Sequence, residues 1–319
     1  MDFFSKKWLI CLILGGFFLS SCASQPTAAA PQPQFQPLSP PRRSPSPTVT
    51  PLVAGCTETS GQVQIVTVPT QLLKQGIELR VYTPPCYDPT DPARYSVLYM
   101  LHGQTYSDSQ WQDLGLFSAA DELIDSRQIY PFLIVLPNEA DSVAFADTSA
   151  FGDALVEEVI PYVDEHFATC RLQACRGIGG LSRGGNWAVR IGFSNPELFA
   201  VIGAHSTPLF YGDLERLPKW AAAFPNGNQE IVISRATESN STDPVMIEET
   251  LTAPMVYLDF GKNDEGKTQM LAFDLSLSQL GVVHQMVEFD GYHDPDYWSA
   301  HLPLYLQWYA AALRAPSDD

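Results

Sequence analysis

Two short segments alternate apolar and polar residues, Q-V-Q-I-V-T-V at 62–68 and I-E-L-R-V-Y-T-P at 77–84. Side chains point to opposite faces of a strand in turn, so both segments predict β-strands with one polar face, suited to antiparallel edge strands. Further along, the alternation fades. S-V-L-Y-M-L (96–101), F-L-I-V-L (132–136), G-I-G-G-L (177–181), F-A-V-I-G-A (199–204), M-V-Y-L-D-F (255–260) and H-Q-M-V-E-F (284–289) are apolar runs with little alternation. Such runs fit strands covered on both faces, as in a mostly parallel sheet flanked by helices.

Helical periodicity fills the gaps. A-L-V-E-E-V-I-P-Y-V-D-E-H-F (154–167) repeats apolar residues at three- and four-residue spacing, with Pro161 predicted to kink or restart the helix. Others run from Ser182 to Phe193, over K-T-Q-M-L-A-F-D-L-S-L-S-Q-L (267–280), and from about Asp296 to Leu313. Strand and helix in regular alternation predict an α/β architecture. In open sheets of that kind, ligands bind beyond the carboxyl ends of the strands, so chemistry is sought just after each strand.

The N-terminus has a different character. Lys6 and Lys7 precede W-L-I-C-L-I-L-G-G-F-F-L, a run too short to span a bilayer and of the size of a signal-peptide core. It ends in L-S-S-C, which resembles the lipobox of bacterial lipoproteins; that resemblance implies cleavage before Cys22 and lipidation of its thiol. Residues 23–55 are rich in proline and poor in apolar residues, and they predict an extended tether without a core. At about 3.1 Å per residue the tether reaches up to roughly 100 Å. The expected organisation is therefore a signal peptide over 1–22, a tether over 23–55 and one large domain over 56–319. The domain is expected outside the cytoplasm, anchored through lipid at the cell surface or in the periplasm.

Charge narrows the partners. With 36 acidic against 18 basic residues and a net charge of −18, the chain repels nucleic acid, and that class of partner is excluded. Four of the six cysteines, Cys56, Cys86, Cys170 and Cys175, fall in the domain. In an exported protein they predict two disulfides. Four cysteines allow three pairings; the favoured one joins Cys170 to Cys175 across a short loop, and Cys56 to Cys86. No C-x-x-C or H-x-x-x-H spacing supports a metal site.

Four strand ends carry candidate chemistry. After Y-M-L, His102 and Gly103 open a polar loop in which the amide of Gln104 can turn toward a bound oxygen; the His102 side chain is expected to be packed and hydrogen-bonded. G-L-S-R-G (180–184) follows an apolar run and precedes a helix, the context of a nucleophile elbow around Ser182. The helix that starts there points its amides and positive dipole end at the site, which places the Arg183 amide beside Gln104 as an oxyanion donor. V-Y-L-D-F-G-K-N-D-E offers Asp264 just after the strand as an orienting acid; Asp259, within the strand, is expected to make structural hydrogen bonds to neighbouring backbone. V-E-F-D-G-Y-H ends in His293, whose imidazole suits the base that a serine nucleophile requires. His205, in G-A-H-S-T-P, also follows a strand and is a possible substrate contact, as are Tyr106 and Tyr292. The order Ser182, Asp264, His293 is the chain order of α/β-hydrolase triads.

Taken with V-Y-T-P-P, Y-M-L-H-G and the following Trp111, G-L-S-R-G-G, F-G-K-N-D and G-Y-H-D-P-D-Y-W, residues of about 60–313 resemble the esterase family that includes esterase D, enterochelin esterases, feruloyl esterases and mycolyltransferases. The resemblance implies an α/β-hydrolase fold and ester hydrolysis or acyl transfer on a small-molecule or glycan-linked ester, with neither metal nor organic cofactor. Its pattern assigns the nucleophile to Ser182, the acid to Asp264 and the base to His293. Two positions depart from it: Arg183 stands where many members have Met, and Tyr292 stands where many have Gly. The Arg183 side chain could draw an anionic group of the substrate or pair with a nearby acid. The segment from about Tyr211 to Asp243 reads as a lid or pocket wall. Rival readings are acyl transfer to a sugar or lipid alcohol with the same residues, a non-catalytic surface-binding module, and peptidase activity.

Overall fold

The structure, a computed structural model, describes residues 56–91, 95–224, 231–236 and 246–313. The expected signal peptide, Cys22 and tether lie outside these residues. The chain folds in the order β1 (Gln62–Val68), β2 (Ile77–Thr83), β3 (Val97–Leu101), α1 (Gln110–Asp113), α2 (Leu116–Asp125) and β4 (Leu133–Pro137). It continues through α3 (Phe151–Ala154), α4 (Ile160–His166), β5 (Arg176–Leu181), α5 (Arg183–Ser194), β6 (Val201–His205) and α6 (Asp213–Ala221). The remainder is β7 (Ile231–Ala236), β8 (Met246–Leu251), β9 (Met255–Gly261), α7 (Lys267–Gln279), β10 (His284–Phe289) and α8 (Pro295–Ala312).

Eight strands form one sheet in the order β1-β2-β4-β3-β5-β6-β9-β10. From β4 to β10 all neighbours are parallel. β2 runs antiparallel both to β1 and to β4, so β1 is the edge and β2 lies inside it, not at the edge as its alternation implied. Every residue of β3, β4, β5 and β6 is buried, which accounts for their unbroken apolar character.

The period-two geometry of the strands sorts their side chains into two cores. On one face Val97, Tyr99, Leu101, Leu133 and Val135 meet Phe151, Trp187, Val189, Leu217 and Phe273, from α3, α5, α6 and α7. On the other, Leu98, Met100, Ile134 and Leu136 meet Trp111, Phe117, Leu302, Tyr305 and Tyr309, from α1, α2 and α8. Each fully buried side chain of this size stabilises the fold by about 1.5–3 kcal/mol relative to exposure. The helix runs on through Pro161: residues Leu155–Val159 widen into a π-turn between α3 and α4, the kind of irregularity by which a helix accommodates a residue with no amide to donate.

The expected lid segment is helical in its first half, as α6, and includes β7, which pairs with β8 as a separate antiparallel ribbon. Both expected disulfides are present, Cys56–Cys86 and Cys170–Cys175. They share one edge of the sheet. Because β2 is antiparallel to β4, with Tyr82 opposite Ile134, Cys86 lies beside the amino ends of the parallel strands. Cys170 and Cys175 lie just before β5, where the Cys170 amide donates to the Tyr95 carbonyl ahead of β3. The carboxyl ends of the strands form the opposite edge.

Candidate active site

At that opposite edge, β5 turns into α5 at Ser182, whose backbone is held at φ 51° and ψ −118°. A non-glycine residue in this region is strained, and the strain presents the hydroxyl above the sheet. The turn closes only because its neighbours have no side chains. A Cβ on Gly184 would stand 2.1 Å from the Leu101 carbonyl oxygen, and one on Gly180 would stand 2.3 Å from the carbonyl carbon of Gly184. Backbone cannot yield to such contacts. The Ser182 amide is fixed by the His205 carbonyl at 2.8 Å.

The other groups converge on this hydroxyl from later strand ends. His293 follows β10 and precedes α8, which Asp294 caps by accepting the Tyr297 amide at 2.9 Å. Its Nε2 lies 3.0 Å from Ser182 Oγ and its Nδ1 lies 2.9 Å from Asp264 Oδ2. The edge of the Trp298 ring system meets the imidazole at 5.1 Å between centroids. Asp264 follows β9 in a turn closed by its amide to the Gly261 carbonyl, and its Oδ1 accepts the Gly266 amide at 2.7 Å. Burial works to raise the Asp264 carboxyl. The hydrogen bonds from His293 and the Gly266 amide, with the attraction of His293, outweigh it and hold the carboxyl below the usual range. Its contribution to stability is therefore present in full above the unfolded value of about 4 and is lost as acid carries the pH through the lowered one.

Arg183 is the first residue of α5, where amides have no intrahelical acceptor. The Gln104 amide, in the loop after β3, has no acceptor among the described residues. That loop is held by His102, buried and bonded to the Gly103 carbonyl and the Glu139 amide, each at 2.8 Å. Further braces are the Gly103 amide to Gln110 Oε1 at 2.7 Å and Trp111 Nε1 to the Leu101 carbonyl at 2.9 Å. Tyr106 and Tyr292 are more than half exposed on loops at this same edge.

His205 is placed differently from the expectation that it could meet substrate. Its side chain is fully buried below the site, with Nδ1 2.5 Å from Asp259 Oδ1, Nε2 3.0 Å from Tyr309 Oη and its ring stacked on Tyr305. Asp259, in turn, binds side chains rather than neighbouring backbone: its Oδ2 accepts the hydroxyls of Tyr297 at 2.5 Å and Tyr305 at 2.8 Å. Burial first, and then the charge of Asp259, push both phenols far above their ordinary value, so they act as donors. Of the two roles open to the Arg183 side chain, the ion pair is the one formed. Its Nε and Nη2 grip Glu139 at 2.7 and 2.6 Å, and Nη2 also donates to the Ala144 carbonyl at 2.9 Å. Glu139 went unremarked in the sequence, although N-E-A-D directly follows the apolar run of β4 and the strand-end rule points to it.

Comparison with known proteins agrees with this architecture. The family described as "Putative esterase" matches residues 70–309. An endo-1,4-beta-xylanase/feruloyl esterase of Xylanibacter ruminicola is 31% identical over 133 residues; this is 40% of the present chain, which spans only 18% of that protein's length. An acetyl esterase of Caldicellulosiruptor saccharolyticus is 23% identical over 233 residues, 68% of this chain and 84% of that one. Among solved structures, a ferulic acid esterase superposes with a TM-score of 0.65 at 19% identity, over 80% of this chain and 99% of its own. An S-formylglutathione hydrolase of Agrobacterium tumefaciens gives 0.58 at 17% identity, over 81% and 98%. The structural likenesses show the α/β-hydrolase fold, and with the family match over most of the sequence, the chain belongs to the esterase family of carboxylic ester hydrolases.

Proposed function

We propose that the protein hydrolyses carboxylic esters through a Ser182–His293–Asp264 triad and an acyl-enzyme. The observation that carries this reading is the pair of hydrogen bonds, 3.0 and 2.9 Å, that links a strained serine to a histidine and the histidine to a buried carboxylate. His293 Nε2 takes the Ser182 proton as Oγ attacks the ester carbonyl. Asp264 holds the ring with its proton on Nδ1 and stabilises the imidazolium that forms. The amides of Arg183 and Gln104 receive the developing oxyanion. His293 then returns the proton to the departing alcohol, and water releases the acid by the same steps in reverse order.

The substrate proposed is a small-molecule or glycan-linked ester. Relatives named for feruloyl and acetyl esters support that class. Tyr106, Phe145, Tyr211 and Tyr292 also support it: they stand exposed on loops that leave the carboxyl edge of the sheet, aromatic surface suited to an aromatic acyl group or a sugar face. The test is to assay the domain on acetyl, feruloyl and longer acyl esters, and to map the adduct of a fluorophosphonate by mass spectrometry. Turnover with the adduct on Ser182 is expected; an unmodified serine and no turnover on any ester refute the reading.

The lipoprotein reading of the N-terminus is part of the proposal. With Cys22→Ser, export without lipidation is expected to move the protein from the membrane fraction to the soluble fraction. Retention of the variant in the membrane fraction speaks against anchoring through Cys22.

A further inference from the structure

The proposed oxyanion donors belong to different elements: the Gln104 amide to the loop after β3, the Arg183 amide to the first turn of α5. To act together they must both lie about 2.7–3.1 Å from one oxygen, so the gap between the two elements has to be fixed. Glu139, from a third element beyond β4, touches both.

On one side its buried carboxylate takes Nε and Nη2 of Arg183 in a two-pronged bond, which fixes the direction of that side chain and not merely its charge. On the other side its own amide donates to His102 Nε2 at 2.8 Å. An amide can only donate, so Nε2 carries the lone pair and the imidazole proton sits on Nδ1, which donates to the Gly103 carbonyl at 2.8 Å. That carbonyl belongs to the same planar trans peptide as the Gln104 N–H, and fixing one end of the peptide fixes the direction of the other. Burial disfavours the charged form of His102, consistent with the neutral tautomer the bonds require. A continuous chain therefore runs from the Arg183 guanidinium through the Glu139 carboxylate, back out along the Glu139 amide to His102, and on to the Gln104 peptide.

We propose that Glu139 is a positioning residue for the oxyanion hole, holding its two donors in register through Arg183 and through His102. This assignment rests on the hydrolase reading above and extends it to a residue that touches no reacting atom. It also gives Arg183 a task. Its side chain is the means by which the third element grips the nucleophile turn.

A merely structural ion pair would lower stability when broken and leave the chemistry of the folded enzyme alone, so the experiment separates the two. The wild-type enzyme is measured first; absence of Ser182 labelling and turnover there refutes the hydrolase reading itself, before any variant is made. In Arg183→Lys, which keeps the charge but loses the two-pronged geometry, kcat is expected to fall about 10-fold or more with KM within about twofold. In the double variant Glu139→Leu/Arg183→Met, no buried charge is left unpaired. Its Tm is expected to stay near the wild-type value. Its kcat falls about 10- to 100-fold, and affinity for a boronic acid that mimics the tetrahedral oxyanion falls in parallel. A double variant with wild-type Tm, kcat and boronate affinity overturns the proposal, and so does Arg183→Lys with unchanged kcat.

Discussion

Replacing Ser182 with alanine is expected to lower kcat on a short p-nitrophenyl ester by about 10⁴-fold or more, and to abolish fluorophosphonate labelling. The size follows from the geometry. His293 Nε2 has its acceptor 3.0 Å away in Ser182 Oγ, and without that oxygen the base has no nucleophile to activate. What remains is the field of the oxyanion donors, which still acts on a water attack. The fold should be untouched, because the Ser182 hydroxyl bonds only to His293 among the described residues, while the turn itself is held by the Ser182 amide on the His205 carbonyl. Circular dichroism and Tm near wild type, with activity at background, is the expected pair of results. A purified variant that keeps more than a tenth of the activity sinks the triad assignment.

The second large effect concerns stability rather than chemistry. Asp259→Ala removes a carboxylate that is 1% exposed and accepts from His205, Tyr297 and Tyr305. Three buried donors lose their partner at once. Breaking a buried, fully bonded group of this kind costs about 3–5 kcal/mol. At roughly 2–4 °C per kcal/mol for a domain near this size, Tm should drop by roughly 10 °C. Tyr309→Phe, which removes a single hydroxyl bonded to His205, should cost only about 1 kcal/mol. The contrast between the two, read by thermal denaturation, checks whether Asp259 is the hub of this cluster. Equal, small losses in both variants argue that it is not.

Much of this fold could be read from the chain. All eight strands of the main sheet follow from apolar runs or alternation; burial on both faces leaves the unbroken runs of β3 to β6, whereas β1 and β10, at the two edges, are mostly exposed or half-buried. The β7–β8 ribbon did not, since the apolar run I-V-I of β7 is only three residues long and M-I-E-E-T-L of β8 neither alternates nor stays apolar. The residues meeting at the site were legible because Ser182, Asp264 and His293 each follow a strand. His205 is the last residue of β6 itself, and there the rule fails for a geometric reason. Being next to the edge does not say toward which face a side chain turns; the register pairs His205 with Asp259, and both turn into the core beneath α8. Glu139 shows a different limit. Its position after β4 is visible, but its value comes from an arginine 44 residues away, and nothing local in N-E-A-D foretells that partner.

The Cys56–Cys86 bridge has a consequence for how the domain is moored. It pins the start of the domain to the amino ends of the parallel strands, and Ser182, His293 and Asp264 meet at their carboxyl ends. The tether proposed ahead of residue 56 therefore joins the domain at the edge opposite Ser182, His293 and Asp264, and a pull along it meets a covalent staple before it meets the site.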